Sequence, residues 1–117
     1  VDAMRIVRLP YHLSALTQAA ALAALEHSAL ILANVELIKT QRERIVGACR
    51  DWGLTPYPSD ANFVLVGGFK NPEAIFEALL AKGVLVRNVG IPGTLRITAG
   101  TEAETTKLLA EIALLLD

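Results

Sequence analysis

The sequence predicts an α+β fold: a small sheet of about three strands with helices packed on one face, in the order α-α-β-α-β-β-α. Three observations carry that prediction. Apolar residues recur at helical spacing through the N-terminal half and again after Thr101. Three short apolar runs, NFVLV, GVLVR and TLRIT, are separated by turns rich in glycine and proline. In the last run polar and apolar residues alternate, as on a strand with one covered face.

The segment from Val1 to Pro10 reads as the tail of an earlier helix that the proline ends. Ser14 suits a helix N-cap, with Leu16, Ala20, Ala23 and Ala24 following as its apolar positions. The pattern stumbles at Glu26-His27-Ser28 and restarts as a second, long helix. Ile31, Val35, Ile38, Ile45, Cys49 and Trp52 lie on one stripe of it, with Arg42 the polar exception. Gly53 suits its C-terminal end.

LTPYPSD reads as an irregular connector because of Pro56 and Pro58. Asn62 to Val66 follows as a buried strand stopped by Gly67-Gly68. Asn71-Pro72 pairs a cap with a first-turn proline and opens a helix with Ile75, Phe76, Leu79 and Leu80 on its apolar face. Gly83 closes that helix, and strands are expected over roughly 84–88 and 94–98. Thr101 and Glu104 form a capping box for a last, amphipathic helix with Leu108, Leu109, Ile112, Leu115 and Leu116 on its apolar face.

A chain of 117 residues with 53% apolar content can bury a core of its own. Its net charge of −1 comes from interspersed acids and bases, which speaks against nucleic acid or an anionic membrane surface as partner. No apolar stretch is long enough to cross a bilayer, and the start lacks the pattern of a secretory signal. The lone Cys49 reads as a small apolar helix residue in a reducing compartment. The chain therefore reads as soluble and cytoplasmic. Its start on Val1 suggests a piece of something longer.

Chemistry concentrates in GVLVRNVGIPGTLRITAGT, where each apolar run carries one arginine, Arg87 and Arg96. Thr94, Arg96 and Thr98 are expected on one face of their strand, with Leu95, Ile97 and Ala99 on the covered face. Arg87 lies on the neighbouring run. Two guanidinium groups that share a face repel unless an anion stands between them, and their forks match a carboxylate or a phosphate. The alternative is that each pairs with a glutamate or reaches solvent.

Other candidates carry less. His12 and His27 lack metal-ligand spacing, and Gly67-Gly68 and GIPG are turns rather than phosphate loops. Ser14, Ser28 and Ser59 lack a nucleophile frame. Lys39, Lys70, Lys82 and Lys107 occupy polar helix faces or loop edges, and Tyr11 reads as a packing anchor.

LPYHLSALTQAAALAAL, RERI, PSDANFVLV, GVLVRNVG and TLRITAGTEAE, in that order, resemble the C-terminal part of the histidinol-phosphate aminotransferases. These belong to the class I/II, fold-type I enzymes that use pyridoxal 5'-phosphate. The resemblance runs over essentially the whole chain. It implies a tail of the large domain or linker over 1–13, interdomain helices over 14–53 and a C-terminal small domain over 54–117.

The resemblance implies further that the cofactor and its lysine belong to a large domain upstream of Val1. No cofactor-binding or catalytic residue is then expected in this chain, which would be inactive and prone to self-association by itself. The arginine of the family's L-R-I/V-T element falls on Arg96, implied to bind the substrate anion. Arg87 is implied as its helper, although Asn88 stands where the family often has aspartate. The implied partners are L-histidinol phosphate, glutamate or 2-oxoglutarate, the large domain and a second subunit in a homodimer. An aromatic amino-acid aminotransferase is the alternative within the family. A free-standing ligand-binding or dimerisation module is the alternative outside it.

Overall fold

The computed structural model describes Ala3 and residues 13–116. The expected helix tail ending at Pro10, and the readings of Tyr11 and His12, lie outside those residues. Helix α1 spans Ala15–Glu26 and α2 spans Ser28–Asp51. Strand β1 is Thr55–Pro56 and β2 is Phe63–Gly67. Helix α3 covers Pro72–Ala81, strand β3 covers Leu95–Thr98, and helix α4 covers Glu102–Leu116.

The fold is α+β with a three-stranded antiparallel sheet in the order β1-β2-β3. The chain divides between Ala33 and Asn34 into two compact units. In the first, the Ser14 hydroxyl accepts from the amide of Thr17 and caps α1, as the sequence suggests. The break at His27 also falls where the apolar pattern stumbles. Helix α1 buries none of its residues, and Leu16, Leu22 and Leu25 stand exposed. No single described helix is long and apolar enough to cross a membrane.

The second unit holds the sheet and its core. Val64 and Val66 of β2 and Leu95 and Ile97 of β3 are buried on one face of the sheet. They belong to one cluster with Ile45 and Cys49 of α2, Leu79 of α3, and Leu108 and Ile112 of α4. This two-layer arrangement removes one face of the sheet from water and leaves the other for function. The α2 stripe is covered from Ile38 onward, whereas Ile31 and Val35 are exposed. Gln41 is the unexpected buried polar group, and its carbonyl oxygen accepts from Arg44 at 2.7 Å.

Both helices that precede a glycine end in the same device. After α2, the amides of Gly53 and Leu54 donate to the carbonyls of Arg50 and Cys49. After α3, Gly83 and Val84 repeat this toward Leu80 and Leu79. Each glycine holds a φ near +70°, where a side chain is strained, so Gly53 and Gly83 are true helix stops. The Asn71 side chain caps α3 by accepting from the amide of Ala74, with Pro72 in its first turn.

Two elements differ from expectation. Thr55–Pro56 pairs with Val66 and Gly67 as an edge strand, where Pro56 and Pro58 predict an irregular connector. A proline is tolerated there because an edge strand can turn its missing donor outward. The 84–88 run is not a strand, so the observed order is α-α-β-β-α-β-α. Val84 is committed to ending α3, and the Asn88 side chain accepts from the amide of Gly90 in a local turn. Between those tethers only Arg87 reaches β3, as an isolated bridge.

Candidate substrate-anion site

The open face of the sheet is built by register. Leu65 of β2 stands opposite Arg96 of β3, and Phe63 stands opposite Thr98. On the outer side of β3, Arg87 stands opposite Arg96. The Arg87 amide donates to the Arg96 carbonyl at 2.9 Å, and the Arg96 amide returns the bond at 2.8 Å. Residues that face each other this way share a face, so the two arginines point to the same side. The tertiary structure therefore brings together both arginines that the sequence singles out.

Their surroundings differ. Arg87 is exposed, whereas Arg96 is half-buried. The Arg96 guanidinium carbon lies 4.8 Å from the centre of the Phe63 ring, in cation–π contact. Its Nε is buried and has no hydrogen-bond partner among the described residues. Among the described residues the ion pairs are Lys39–Glu36, Arg42–Glu43 and Lys82–Glu111, none of which involves Arg87 or Arg96.

Thr94, expected beside Arg96 on the open face, is instead buried. Its hydroxyl donates to the Ile91 carbonyl at 2.9 Å and closes the GIPG turn, which outweighs the strand alternation there. Thr98 keeps its place on the exposed side.

Phe63 is the site residue that the sequence pattern did not mark. It sits in an apolar run that reads as buried on both sides, yet helices cover only Val64 and Val66. Phe63 and Leu65 are half-buried on the opposite face. The available signal was that a sheet with helices on one side cannot cover both faces of such a run.

The loop before Phe63 is firmly tied. Ser59 donates its hydroxyl to the Phe63 carbonyl and accepts from the Ala61 amide. Arg42 reaches from α2 to the Ala61 carbonyl at 3.1 Å, which explains the polar exception in that stripe. The Asn62 carbonyl accepts from the Ala99 amide beyond β3.

Among the described residues Cys49 and Glu104 are perturbed, neither at this face. Burial pushes the Cys49 thiol up to about 11, consistent with an inert core residue. The Thr101 amide and hydroxyl donate to the Glu104 carboxylate and hold it below its ordinary value. The Thr101 hydroxyl oxygen in turn accepts from the Glu104 amide, which completes the expected capping box.

The described lysines do not offer a buried amine for a carbonyl cofactor. Lys39 and Lys82 pair with glutamates, Lys107 donates to the Lys82 carbonyl, and Lys70 is exposed. Among the described residues no cluster of His, Cys, Asp and Glu could hold a metal ion. What the open face can do chemically is bind an anion.

The two guanidinium groups thus share the open face of the sheet, which is backed on its other side by a helical layer. Residues 1–112 match the family described as aminotransferase class I and II, and the chain belongs to that family. It is 58% identical over 116 residues to the histidinol-phosphate aminotransferase of Paenarthrobacter aurescens, covering 99% of this chain and 31% of the relative. It is 50% identical over 109 residues to the histidinol-phosphate aminotransferase of Streptomyces avermitilis, covering 93% of this chain and 30% of that relative.

Among solved structures, the histidinol-phosphate aminotransferase of Sinorhizobium meliloti in complex with pyridoxal-5'-phosphate matches with a TM-score of 0.81 and 30% identity. That match covers 98% of this chain and 33% of the other. The chain thus spans just under a third of the length of the curated relatives named here.

Proposed function

We propose that the chain is the C-terminal part of a histidinol-phosphate aminotransferase, which moves an amino group between L-histidinol phosphate and 2-oxoglutarate. The observation that carries this reading is the Arg96 guanidinium, held on the open face with Arg87 opposite and no carboxylate among the described residues pairing with either. The names of the relatives, at up to 58% identity, support the choice of substrate.

In this reading Arg96 receives the substrate phosphate in one half-reaction and a carboxylate in the other. Both are planar or tetrahedral oxyanions that a guanidinium fork can clasp with two parallel bonds. Arg87 adds positive potential from the exposed side. In this reading pyridoxal phosphate and its lysine belong to the part of the enzyme outside this chain. There the cofactor acts as the electron sink for transamination. The contribution of this chain is orientation and charge, with exclusion of water when the domains close.

The proposed organisation is a large-domain tail or linker over 1–13, interdomain helices over 14–53 and the small domain over 54–117, in a cytoplasmic homodimer. The apolar α1, with no residue buried, supports a surface made to be covered in the complete protein. By itself the chain is inactive in this reading.

The test uses the full-length protein and its visible absorbance, before and after L-histidinol phosphate is added without a 2-oxo acid. Loss of the cofactor band supports the proposal. A band that persists with histidinol phosphate and fades with phenylalanine replaces it with an aromatic amino-acid aminotransferase. A protein without any band overturns it.

A further inference from the structure

We propose that Phe63 is a positioning residue for Arg96, its ring serving as the platform that aims the guanidinium at the substrate anion. The proposal rests on the reading of Arg96 as the anion-binding group and says how that group is held.

A cation on the open face of a sheet needs something to fix it. The usual device is a carboxylate, but a carboxylate would occupy the same N–H fork that the substrate must use, and it would cancel the charge. Arg96 has another support. Its guanidinium carbon lies 4.8 Å from the Phe63 ring centre, within cation–π range. A ring face attracts the cation without consuming a donor in the plane of the fork. The burial of Nε without a partner fits the same arrangement. Solvent is excluded from the inner end of the guanidinium, and its terminal nitrogens remain the ones available to an anion.

The register explains why Phe63 rather than Leu65 does this. Leu65 stands directly across from Arg96, whereas Phe63 is the diagonal neighbour, within reach of a long side chain. The platform is itself anchored. Ser59 holds the Phe63 carbonyl, Arg42 holds that of Ala61, and the Ala99 amide holds that of Asn62. Two elements far apart in sequence, β3 and the loop entering β2, thus set one angle.

The experiment compares Phe63→Leu, Phe63→Tyr and Arg96→Ala in the full-length enzyme. It reads kcat/KM for histidinol phosphate and the inhibition constant of inorganic phosphate. Phe63→Leu should weaken both by about 3- to 30-fold, the range of a cation–π contact, while Phe63→Tyr keeps them near wild type. A trifluorinated phenylalanine at position 63 keeps the shape and drains the ring face, and should weaken both in the same direction. This last variant decides the matter if Phe63→Leu does not fold.

In an Arg96→Ala background, Phe63→Leu should have no further effect on phosphate inhibition. Equal losses in the leucine and tyrosine variants, or a fluorinated ring as good as the native one, would mean that Phe63 only fills space. A large loss in Arg96→Ala with none in Phe63→Leu overturns the positioning role and leaves the anion reading standing. No loss in Arg96→Ala overturns the anion reading beneath it.

Discussion

Arg87 and Arg96 exchange both of their backbone hydrogen bonds, at 2.9 and 2.8 Å, so two like charges stand directly opposite on one face of the sheet. Opposed like charges destabilise a strand pair, and this pair is the single point where the 84–88 run meets β3. In the proposed function a bound anion relieves that repulsion. The arrangement also gives the two arginines separable roles. Arg96 is half-buried and stacked, and Arg87 is exposed.

Under the proposed function, Arg96→Ala in the full-length protein should lower kcat/KM for histidinol phosphate by the equivalent of about 2–5 kcal/mol, the cost of removing a charged partner of the anion. Arg96→Lys should recover little, because an ammonium lacks the fork. Steady-state kinetics of the two variants decides this, and an unchanged efficiency removes Arg96 from the site.

Arg87→Ala should act in opposite directions on stability and binding. Loss of the facing charge should stabilise the ligand-free protein by about 0.2–1 kcal/mol in urea unfolding. The gain should fade at high salt, since Arg87 is exposed and screened. Anion affinity should fall, but less than in Arg96→Ala. A destabilised Arg87→Ala would show that the bridge, not the charge, dominates.

Ile112 is fully buried among sheet and helix residues of the second unit. Ile112→Ala should cost about 2–5 kcal/mol, read as a lowered urea midpoint with the slope unchanged.

The Cys49 thiol, pushed up to about 11 from 9.0 by burial, should react slowly with thiol reagents near neutral pH until the protein unfolds. The folded state holds that proton more tightly than the unfolded one. Its contribution to stability is therefore full below pH 9.0 and declines as the pH rises toward about 11. Cys49→Ala should remove that alkaline component. Rapid labelling of the native protein would contradict the burial.

The capping box has the opposite pH signature. Glu104, held below its ordinary value by Thr101, binds fewer protons folded than unfolded. Its contribution is present above the ordinary carboxyl value and is lost as the pH falls through the lowered one. Glu104→Gln should flatten that acid limb of an unfolding titration. Thr101→Ala should cost about 1 kcal/mol through the lost cap.

Local devices were legible in the sequence. Ser14, Asn71 and the Thr101–Glu104 box cap helices where their spacing says they should, and Gly53 and Gly83 end them. The alternation through Leu95, Arg96 and Ile97 placed Arg96 on the open face. Each of these is decided within a few residues, by a hydrogen bond or a periodicity that the sequence carries directly.

The residue-by-residue pairing was not legible. Whether the 84–88 run becomes a strand depended on two tethers that compete with pairing, one to α3 and one within the Asn88 turn. Thr55–Pro56 became a strand only because β2 offered it an edge. Phe63 came under Arg96 because the antiparallel register of β2 and β3 made them diagonal neighbours. By itself the sequence determined the helices, their caps and which strand face would carry the charge, since those follow from short-range geometry and the exclusion of apolar side chains from water. The tertiary structure decided which strands exist, how the two arginines face each other and what holds Arg96. Those depend on contacts between distant segments, where several pairings satisfy the same local pattern and only the packed whole selects one.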